Sequence, residues 1–521
     1  MQTCVLIIGA GATGTALARD LCLRGIDCIL VEKGDVNAGA SGANHGLLHS
    51  GARYIISDPA AAAECHAENR ILKQIAPQCI EDTGGLFVAV QGDDEKYIAD
   101  FPGSCKKCGI PVQSLSPDQA LEMEPALSGH VIAAFWVDDA AIDPFKLSLD
   151  NLCCAQEHGA RLLCRHEVTL FEISCGRIVC THVTDLKTNT QFRIEAQVVV
   201  NAAGAWADII ARRAGAQMRM HYSKGSLMVT QNRISQRVIN RLRMPTDGDI
   251  LVPGGTVSIL GTTSERVASP DFIHPEIHEI DTILDQGSAM IPKLAQIQYI
   301  RAYCGVRPLP AGHETTNPAR DQDDRAVSRG YELIDHQDQP EQVTNFVTIT
   351  GGKLTTCRLM AEKTADLVCG KLGIQAVCRT RTEPVPDAAE AKWTKPGLAP
   401  AEWVQESRCR EPLVCECEMV PESVVKKIAD SFAANHQQAG LKAISLRSRI
   451  GKGPCQGTFC SMRIMAYLYD QGYMDDRNGL DDLRAFLRER WRGQQPLAWN
   501  NGLARAELME AMHCGLFCLE L

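Results

Sequence analysis

Val5-Leu6-Ile7-Ile8-Gly9-Ala10-Gly11-Ala12-Thr13-Gly14 is an apolar strand that runs into a glycine turn and opens a helical pattern reaching Arg24. After Gly25 a second apolar strand ends in Val31-Glu32-Lys33, which puts an acidic residue about twenty positions beyond the glycines. In that order the pieces make a complete βαβ dinucleotide-binding unit. Gly9 allows the tight turn, Gly11 lets backbone approach a pyrophosphate, and Gly14 lets the helix pack closely on the strand. The free N–H groups at the start of the helix then face the phosphates. Glu32 is expected to accept hydrogen bonds from the adenosine ribose, and its charge disfavours a 2′-phosphate, which argues against NADP.

The fingerprint alone fits FAD and NAD equally. Two later strands end in similar turns, Val198-Val199-Val200-Asn201-Ala202-Ala203-Gly204-Ala205-Trp206 and Phe346-Val347-Thr348-Ile349-Thr350-Gly351-Gly352-Lys353-Leu354. Small residues at each turn let backbone come close to a ligand. Glycine-bearing turns so far apart in sequence predict one long cofactor threaded through a discontinuous domain. A fourth segment, Ser41-Gly42-Ala43-Asn44-His45-Gly46-Leu47-Leu48-His49-Ser50-Gly51-Ala52-Arg53-Tyr54, has little bulk and can wrap a cofactor while delivering His49, Arg53 and Tyr54 beside it.

Together these stretches resemble the FAD-dependent glycerol-3-phosphate dehydrogenases, within the larger D-amino-acid-oxidase-like group. The resemblance covers roughly residues 3–375. It implies an α/β fold over residues 1–380, in which a Rossmann-like FAD-binding domain carries an inserted mixed β-sheet substrate domain. It also implies FAD, held by Gly9, Gly11, Gly14, Glu32, Ser41, Gly46, Ala203, Gly204, Gly351, Gly352, Lys353 and Leu354. By the same resemblance His49 is the base for an alcohol proton, Arg53 polarises the developing oxyanion, and Tyr54 contacts substrate. Lys353 lies near flavin and substrate, where positive charge stabilises an anionic reduced flavin. Arg307, within Arg301-Ala302-Tyr303-Cys304-Gly305-Val306-Arg307-Pro308-Leu309, and Arg329, before Gly330, are the phosphate anchors; Arg325 competes with Arg329 for that role. Guanidinium groups suit a phosphate dianion through paired, charge-assisted hydrogen bonds.

Residues 381–411 read as a linker, with Pro384, Pro386, Pro396 and Pro400 among few apolar residues. Beyond it, Cys415-Glu416-Cys417 and Cys455-Gln456-Gly457-Thr458-Phe459-Cys460 set out C-x-C, 37 residues, then C-x4-C. Four thiolates are the right number for one iron–sulfur cluster or one tetrahedral zinc. The stretch resembles the [2Fe–2S] domain of bacterioferritin-associated ferredoxin, which implies such a domain over residues 412–475. The family's shorter form has two residues between its last cysteines, and this chain has four. Residues 476–521 are expected to form a helical tail. Within it Arg490-Trp491-Arg492-Gly493-Gln494-Gln495-Pro496-Leu497-Ala498-Trp499 packs either on another domain or on a partner subunit.

Composition bounds the rest. A net charge of −10 across 521 residues argues against a nucleic-acid binder, which needs basic surface to displace counterions. The sequence has no signal-peptide pattern and no apolar run near the ~20 residues that span a bilayer. Most of the 23 cysteines stand singly in apolar runs, where a thiol behaves as a small hydrophobe. The Cys105/Cys108 and Cys153/Cys154 pairs read as plain thiols.

Flavin half, thiol motifs and tail together resemble the multi-subunit, anaerobic branch of the bacterial glycerol-3-phosphate dehydrogenases. That implies hydride transfer from sn-glycerol 3-phosphate to FAD, giving dihydroxyacetone phosphate, with electrons leaving singly through a [2Fe–2S] cluster. It implies a cytoplasmic chain held peripherally on the inner face of the cell membrane by partner subunits. One of these is a membrane-anchoring iron–sulfur subunit that serves quinone. Rival readings are an L-2-hydroxyglutarate or amino-acid oxidoreductase on the same fold, and a non-catalytic electron-transfer subunit.

Overall fold

The computed structural model of the chain describes residues 1–311, 330–387, 411–434, 437–475, 479–499 and 501–519. Arg329, Arg325 and most of the linker expected at 381–411 lie outside the described residues.

The strand Gln2–Ile8 sits at the centre of an eight-stranded sheet, parallel to Cys28–Glu32 on one side and to Gln191–Asn201 on the other. Arg161–Cys164 extends the parallel order beyond Cys28–Glu32, and Phe346–Gly351 extends it beyond Gln191–Asn201. Tyr331–Asp335 runs antiparallel at the edge, and the hairpin His166–Ser174/Arg177–Asp185 continues the sheet from the first residues of Gln191–Asn201. Both faces are covered, which is why Val5, Leu6 and Ile7 are all fully buried and the strand reads as an unbroken apolar run. The helices Ala12–Leu23, Pro144–Glu157 and Cys357–Leu372 supply the core on one face. The carboxyl ends of the parallel strands place Gly9, Glu32, Ala203 and Gly351 along one crest, where an open α/β sheet binds its ligand.

A nine-stranded sheet stands above that crest, and two separate insertions build it. Gly85–Val90, Gln113–Leu115 and Val131–Val137 come from between Glu32 and Arg161; the remaining strands come from between Asn201 and Phe346. The halves join where Val238–Arg241 runs parallel to Gly85–Val90. The longest pairing, Met220–Thr230 against Tyr299–Pro310, sets Ser223 opposite Arg307 and Gly225 opposite Gly305. This is the mixed inserted sheet that the resemblance implied.

The C-terminal region has its own small core. Val420, Val425, Ile428, Ile444, Ile464 and Leu468 are fully buried together, between the hairpin Leu413–Cys415/Val420–Pro421 and the helices Glu422–Ala434, Leu441–Arg447 and Cys460–Asp470. Two further helices, Gly479–Gln494 and Asn501–Phe517, complete it. The region is docked on the rest of the chain. Leu446 joins the core beneath the central sheet, and Leu497 of the tail joins the core of the nine-stranded sheet. The Arg447 guanidinium donates to both oxygens of Asp35 at 2.8 and 2.7 Å, with both groups nearly enclosed. The first linker residues lie flat on the flavin half: Arg19 donates to the carbonyls of Glu383 and Pro384, and the Val385 amide donates to Ile75.

Candidate functional site

A cavity of about 850 Å³ lies between the two sheets. Its floor is the glycine turn. Gly9 has φ +107°, and a Cβ there would stand 2.6 Å from the Ala202 carbonyl oxygen; a Cβ on Gly14 would stand 1.9 Å from the Gly9 oxygen. Backbone of two strand ends and of the helix start therefore meets at the turn with no room for a side chain. The helix Ala12–Leu23 starts at Gly11 without a side-chain cap, and the Ser41 hydroxyl accepts from the Ala12 amide at 3.0 Å. Glu32 accepts from the amides of Ala10 (2.9 Å) and Gly34 (2.7 Å), and burial raises its pKa. Each carboxylate oxygen keeps a lone pair for a further donor.

At the other end of the cavity, Gly51 (φ +96°) turns the chain so that His49, Arg53 and Tyr54 face inward; a Cβ on Gly51 would meet the Ala62 oxygen at 2.1 Å. The turn is anchored from two sides. Asp139 accepts from the Ser50 amide at 2.7 Å and from Asn240 at 3.1 Å, and the Thr355 hydroxyl accepts from the His49 amide at 3.1 Å. Tyr54 Oη and His49 Nε2 are 3.4 Å apart, and the Lys353 ammonium lies 4.4 Å from the Tyr54 ring centre. Arg53 pairs with Asp249 at 3.2 Å, while its Nη1 is buried with no hydrogen-bond partner among the described residues. Arg307 reaches in from the upper sheet and donates to the Thr262 hydroxyl, to the Thr263 carbonyl at 3.0 Å and to the Ser223 hydroxyl at 3.4 Å. A Cβ on Gly225 would lie 2.4 Å from its Nη2, so glycine makes room for the guanidinium.

These cations meet two histidines held neutral. Burial, then the charges of Arg307 and Arg53, pushes His45 down to about 3. Burial, then His45, Lys353 and Arg53, holds His49 well below the usual histidine range. A neutral imidazole keeps a free lone pair at neutral pH, and the same cations that keep it neutral lower its strength as a base.

Gly9, Gly11, Glu32, Ser41, His49, Arg53, Tyr54, Ala203, Gly204, Arg307, Gly351, Gly352, Lys353 and Leu354 all line this cavity. Gly14 and Gly46 do not, because both do backbone work. A Cβ on Gly46 (φ +69°) would strike the Ile142 oxygen at 2.6 Å. Sequence reasoning did not single out His45, Asp139, Asp249 or the Thr262/Thr263 pair. For His45 the signal was present, in the same glycine-rich segment as His49; the others are brought in by long-range pairing. The cradle fits a dinucleotide: side-chain-free backbone at the turn, an uncapped helix start, a carboxylate at the second strand, and cations at the far end.

The four C-terminal cysteines also converge. Cys417 Sγ lies 3.7 Å from Cys415 Sγ and 3.6 Å from Cys455 Sγ, and Cys460 closes the ring by contacts with Cys415 and Cys455. The amides of Gly457 and Phe459 donate to the Cys455 sulfur. A Cβ on Gly453 would sit 2.8 Å from Cys417 Sγ, and Gly451 (φ +71°) and Gly457 (φ +91°) leave space for the Phe486 ring. Four convergent sulfurs with amides aimed at them fit a thiolate-held metal centre.

A family described as FAD dependent oxidoreductase (DAO) matches residues 4–367. The chain is 41% identical to the anaerobic glycerol-3-phosphate dehydrogenase A subunit of Escherichia coli K12, over 99% of this chain and 97% of that protein. It is 38% identical to the corresponding protein of Haemophilus influenzae, over 100% and 94%, and 38% identical to the A1 form from Haloferax volcanii, over 98% and 89%. Among solved structures, the glycerol-3-phosphate dehydrogenase of Bacillus halodurans complexed with FAD superposes with a TM-score of 0.61 at 21% identity, over 100% of this chain and 97% of that one. The glycine oxidase of Bacillus cereus superposes with a TM-score of 0.56 at 20% identity, over 71% and 95%. At such identity these two speak for the fold alone.

Proposed function

Since the chain belongs to the FAD-dependent oxidoreductases, and within them to the anaerobic glycerol-3-phosphate dehydrogenase A subunits, we propose that the cavity oxidises sn-glycerol 3-phosphate to dihydroxyacetone phosphate and that the four cysteines carry the electrons away. The observation that carries this reading is the meeting of Arg53, Arg307 and Lys353 with two neutral histidines at one end of a dinucleotide cradle.

FAD, when bound, supplies the hydride acceptor. Glu32 would hold its ribose end and the Gly9–Gly14 turn its pyrophosphate, with Ser41 and the Gly351–Leu354 turn among the residues that would hold the rest of it. Arg307 binds the substrate phosphate. Its hydroxyl and carbonyl partners hold the fork in place before substrate arrives, so little order is lost on binding. His49 takes the proton of the alcohol hydroxyl as the carbinol carbon gives up its hydride. Arg53, with one N–H unpartnered, donates to the oxygen on which charge develops. Lys353, which lines the same cavity, would supply positive charge there to favour the cofactor's reduced, anionic form. Arg329 is a second candidate for the phosphate.

Cys415, Cys417, Cys455 and Cys460 would hold a [2Fe–2S] cluster, which accepts one electron at a time. The relatives are named as single subunits of their enzyme, which supports a complex with other chains. Among the described residues no helix is long and apolar enough to cross a membrane, so peripheral attachment through a membrane-anchoring iron–sulfur partner is the arrangement we favour. An anaerobic titration of the purified chain tests the core of this reading. Glycerol 3-phosphate should bleach the flavin stoichiometrically, whereas bleaching by 2-hydroxy acids or amino acids alone would reassign the substrate to a carboxylate.

A further inference from the structure

The seam between the flavin half and the thiol centre holds a charge that no hydrogen bond satisfies. Lys452 stands three residues before Cys455, and its ammonium is buried without a hydrogen-bond partner among the described residues. It rests 4.1 Å from the centre of the Phe145 ring. That ring in turn lies against Gly42, where a Cβ would meet Phe145 Cζ at 3.0 Å. Gly42 belongs to the short turn Ala40–Gly42, whose Ala40 and Ser41 line the cofactor cavity. A continuous packed path therefore runs from cavity wall to Phe145, to Lys452, to the loop that bears Cys455.

The surroundings keep the charge uncompensated. The groups facing Lys452 are Asp143, Arg449, Arg490 and Glu418. Both carboxylates have other duties. Glu418 accepts from Arg449 at 2.5 Å, and Asp143 caps the helix Pro144–Glu157 through the amides of Phe145 and Lys146 while also facing Arg449 at 3.7 Å. Arg490 has two buried nitrogens, Nε and Nη1, without hydrogen-bond partners, and Arg505, which donates to the Pro454 carbonyl, feels the Cys455 and Cys417 sulfurs. Arg490 and Arg449 each face a carboxylate, Glu489 at 3.6 Å and Glu418 at 2.5 Å, which leaves Lys452 as the cation without a hydrogen-bond partner among the described residues. A buried charge left like this is costly unless an opposite charge lies near. Four thiolates around two irons provide one, a net negative centre that becomes more negative on reduction.

We propose that Lys452 is a positioning residue for electron transfer: it occupies the crossing point between flavin and cluster and, by its unpaired charge, raises the cluster's affinity for an electron. The proposal rests on the cluster reading above. Each transfer would take one electron from the reduced flavin and turn one ferric iron ferrous, adding one negative charge to the centre; the cluster hands that electron to a one-electron acceptor on a partner subunit before it takes the second, and the flavin's proton goes to solvent. A neighbouring cation stabilises the reduced state more than the oxidised one, so its loss lowers the reduction potential.

The test begins with iron and acid-labile sulfide in the purified full chain; their absence ends the cluster reading and this one with it. Midpoints of the cluster are then measured by paramagnetic resonance in redox titrations of wild type, Lys452→Met, Lys452→Gln and Lys452→Arg. Expected is about a tenfold fall in the reduced-to-oxidised ratio at fixed potential in the Met and Gln variants, equivalent to 59 mV for one electron, with recovery in the Arg variant and unchanged flavin bleaching by substrate. Gln stands in if the Met variant loses iron. Iron-loaded variants with the wild-type midpoint would overturn the assignment, since a merely structural lysine would not move it.

Discussion

The cavity and the thiol centre are both buried, cationic places, yet they treat their cations differently. In the cavity Arg307 donates to two hydroxyls and a carbonyl, and Arg53 pairs with Asp249. Around the cysteines, Lys452 and two nitrogens of Arg490 have no hydrogen-bond partner among the described residues. A site that must wait empty between turnovers has to satisfy its charges with protein groups and release some of them to an arriving anion. On the cluster reading proposed above, a resident anion leaves no such idle state, and Lys452 can be left for it. The contrast is one of degree: in the cavity Arg53 also keeps one buried nitrogen without a partner among the described residues, and in the proposed mechanism that nitrogen serves the substrate oxygen.

The contrast breaks most completely if Cys415→Ser together with Cys455→Ser still holds iron. Loss of all iron is expected, with flavin content and substrate bleaching kept, as elemental analysis and absorbance would show. Next in size is the hinge between the two regions. Asp35→Ala strands the Arg447 charge in a buried interface and should cost about 3–5 kcal/mol. Thermal unfolding should then split, with early release of the C-terminal region to protease. On the proposed phosphate-anchor role, Arg307→Ala removes a charge-assisted contact made alike to substrate and transition state. It should raise KM about thirtyfold, for roughly 2 kcal/mol, with kcat much less affected. Steady-state kinetics with glycerol 3-phosphate decide it; an unchanged KM would leave the phosphate without this anchor.

The smallest effect is on pH. Burial first, then nearby cations, keeps His49 well below its ordinary value of 6.5. The free enzyme should therefore hold His49 neutral as pH falls through 6, and the acid limb of flavin reduction should lie below the normal histidine range. The sign for stability follows. Below about 6.5 the unfolded chain takes up protons that the folded chain refuses, so folding weakens as pH drops. An acid limb centred at 6.5 or above would show that the cavity does not keep its base deprotonated.

What could be read in advance was what the chain encodes locally. The βαβ unit, the glycine turns at Gly204 and Gly351, and the cysteine spacing each lie within a few dozen residues, and backbone sterics dictate them. Gly14 was read for its packing role, and the 1.9 Å approach of its missing Cβ to the Gly9 oxygen explains why glycine stands there. Hidden from such reading was everything made by distant partners. Asp35 and Arg447 are separated by 412 positions, and Asp249 meets Arg53 across 196. Neither carries a pattern of its own. His45 shares the glycine-rich segment of His49, and the fold adds what the segment does not show, the Arg307 charge reaching it from the other sheet. Lys452 likewise carries no local pattern, and only the fold sets it against Phe145.

Phe346–Gly351 lies parallel to Gln191–Asn201 in the central sheet, and the turn it leads into closes the cavity. On a ribosome, the fingerprint that begins the chain must wait for more than half of the protein to emerge before its pocket has a wall. Cofactor capture is then a late event in biogenesis, and any ligand that binds only the finished pocket also holds the two ends of the domain together. Starving cells of riboflavin should for that reason show first as loss of this polypeptide, before any deficit in its turnover per molecule.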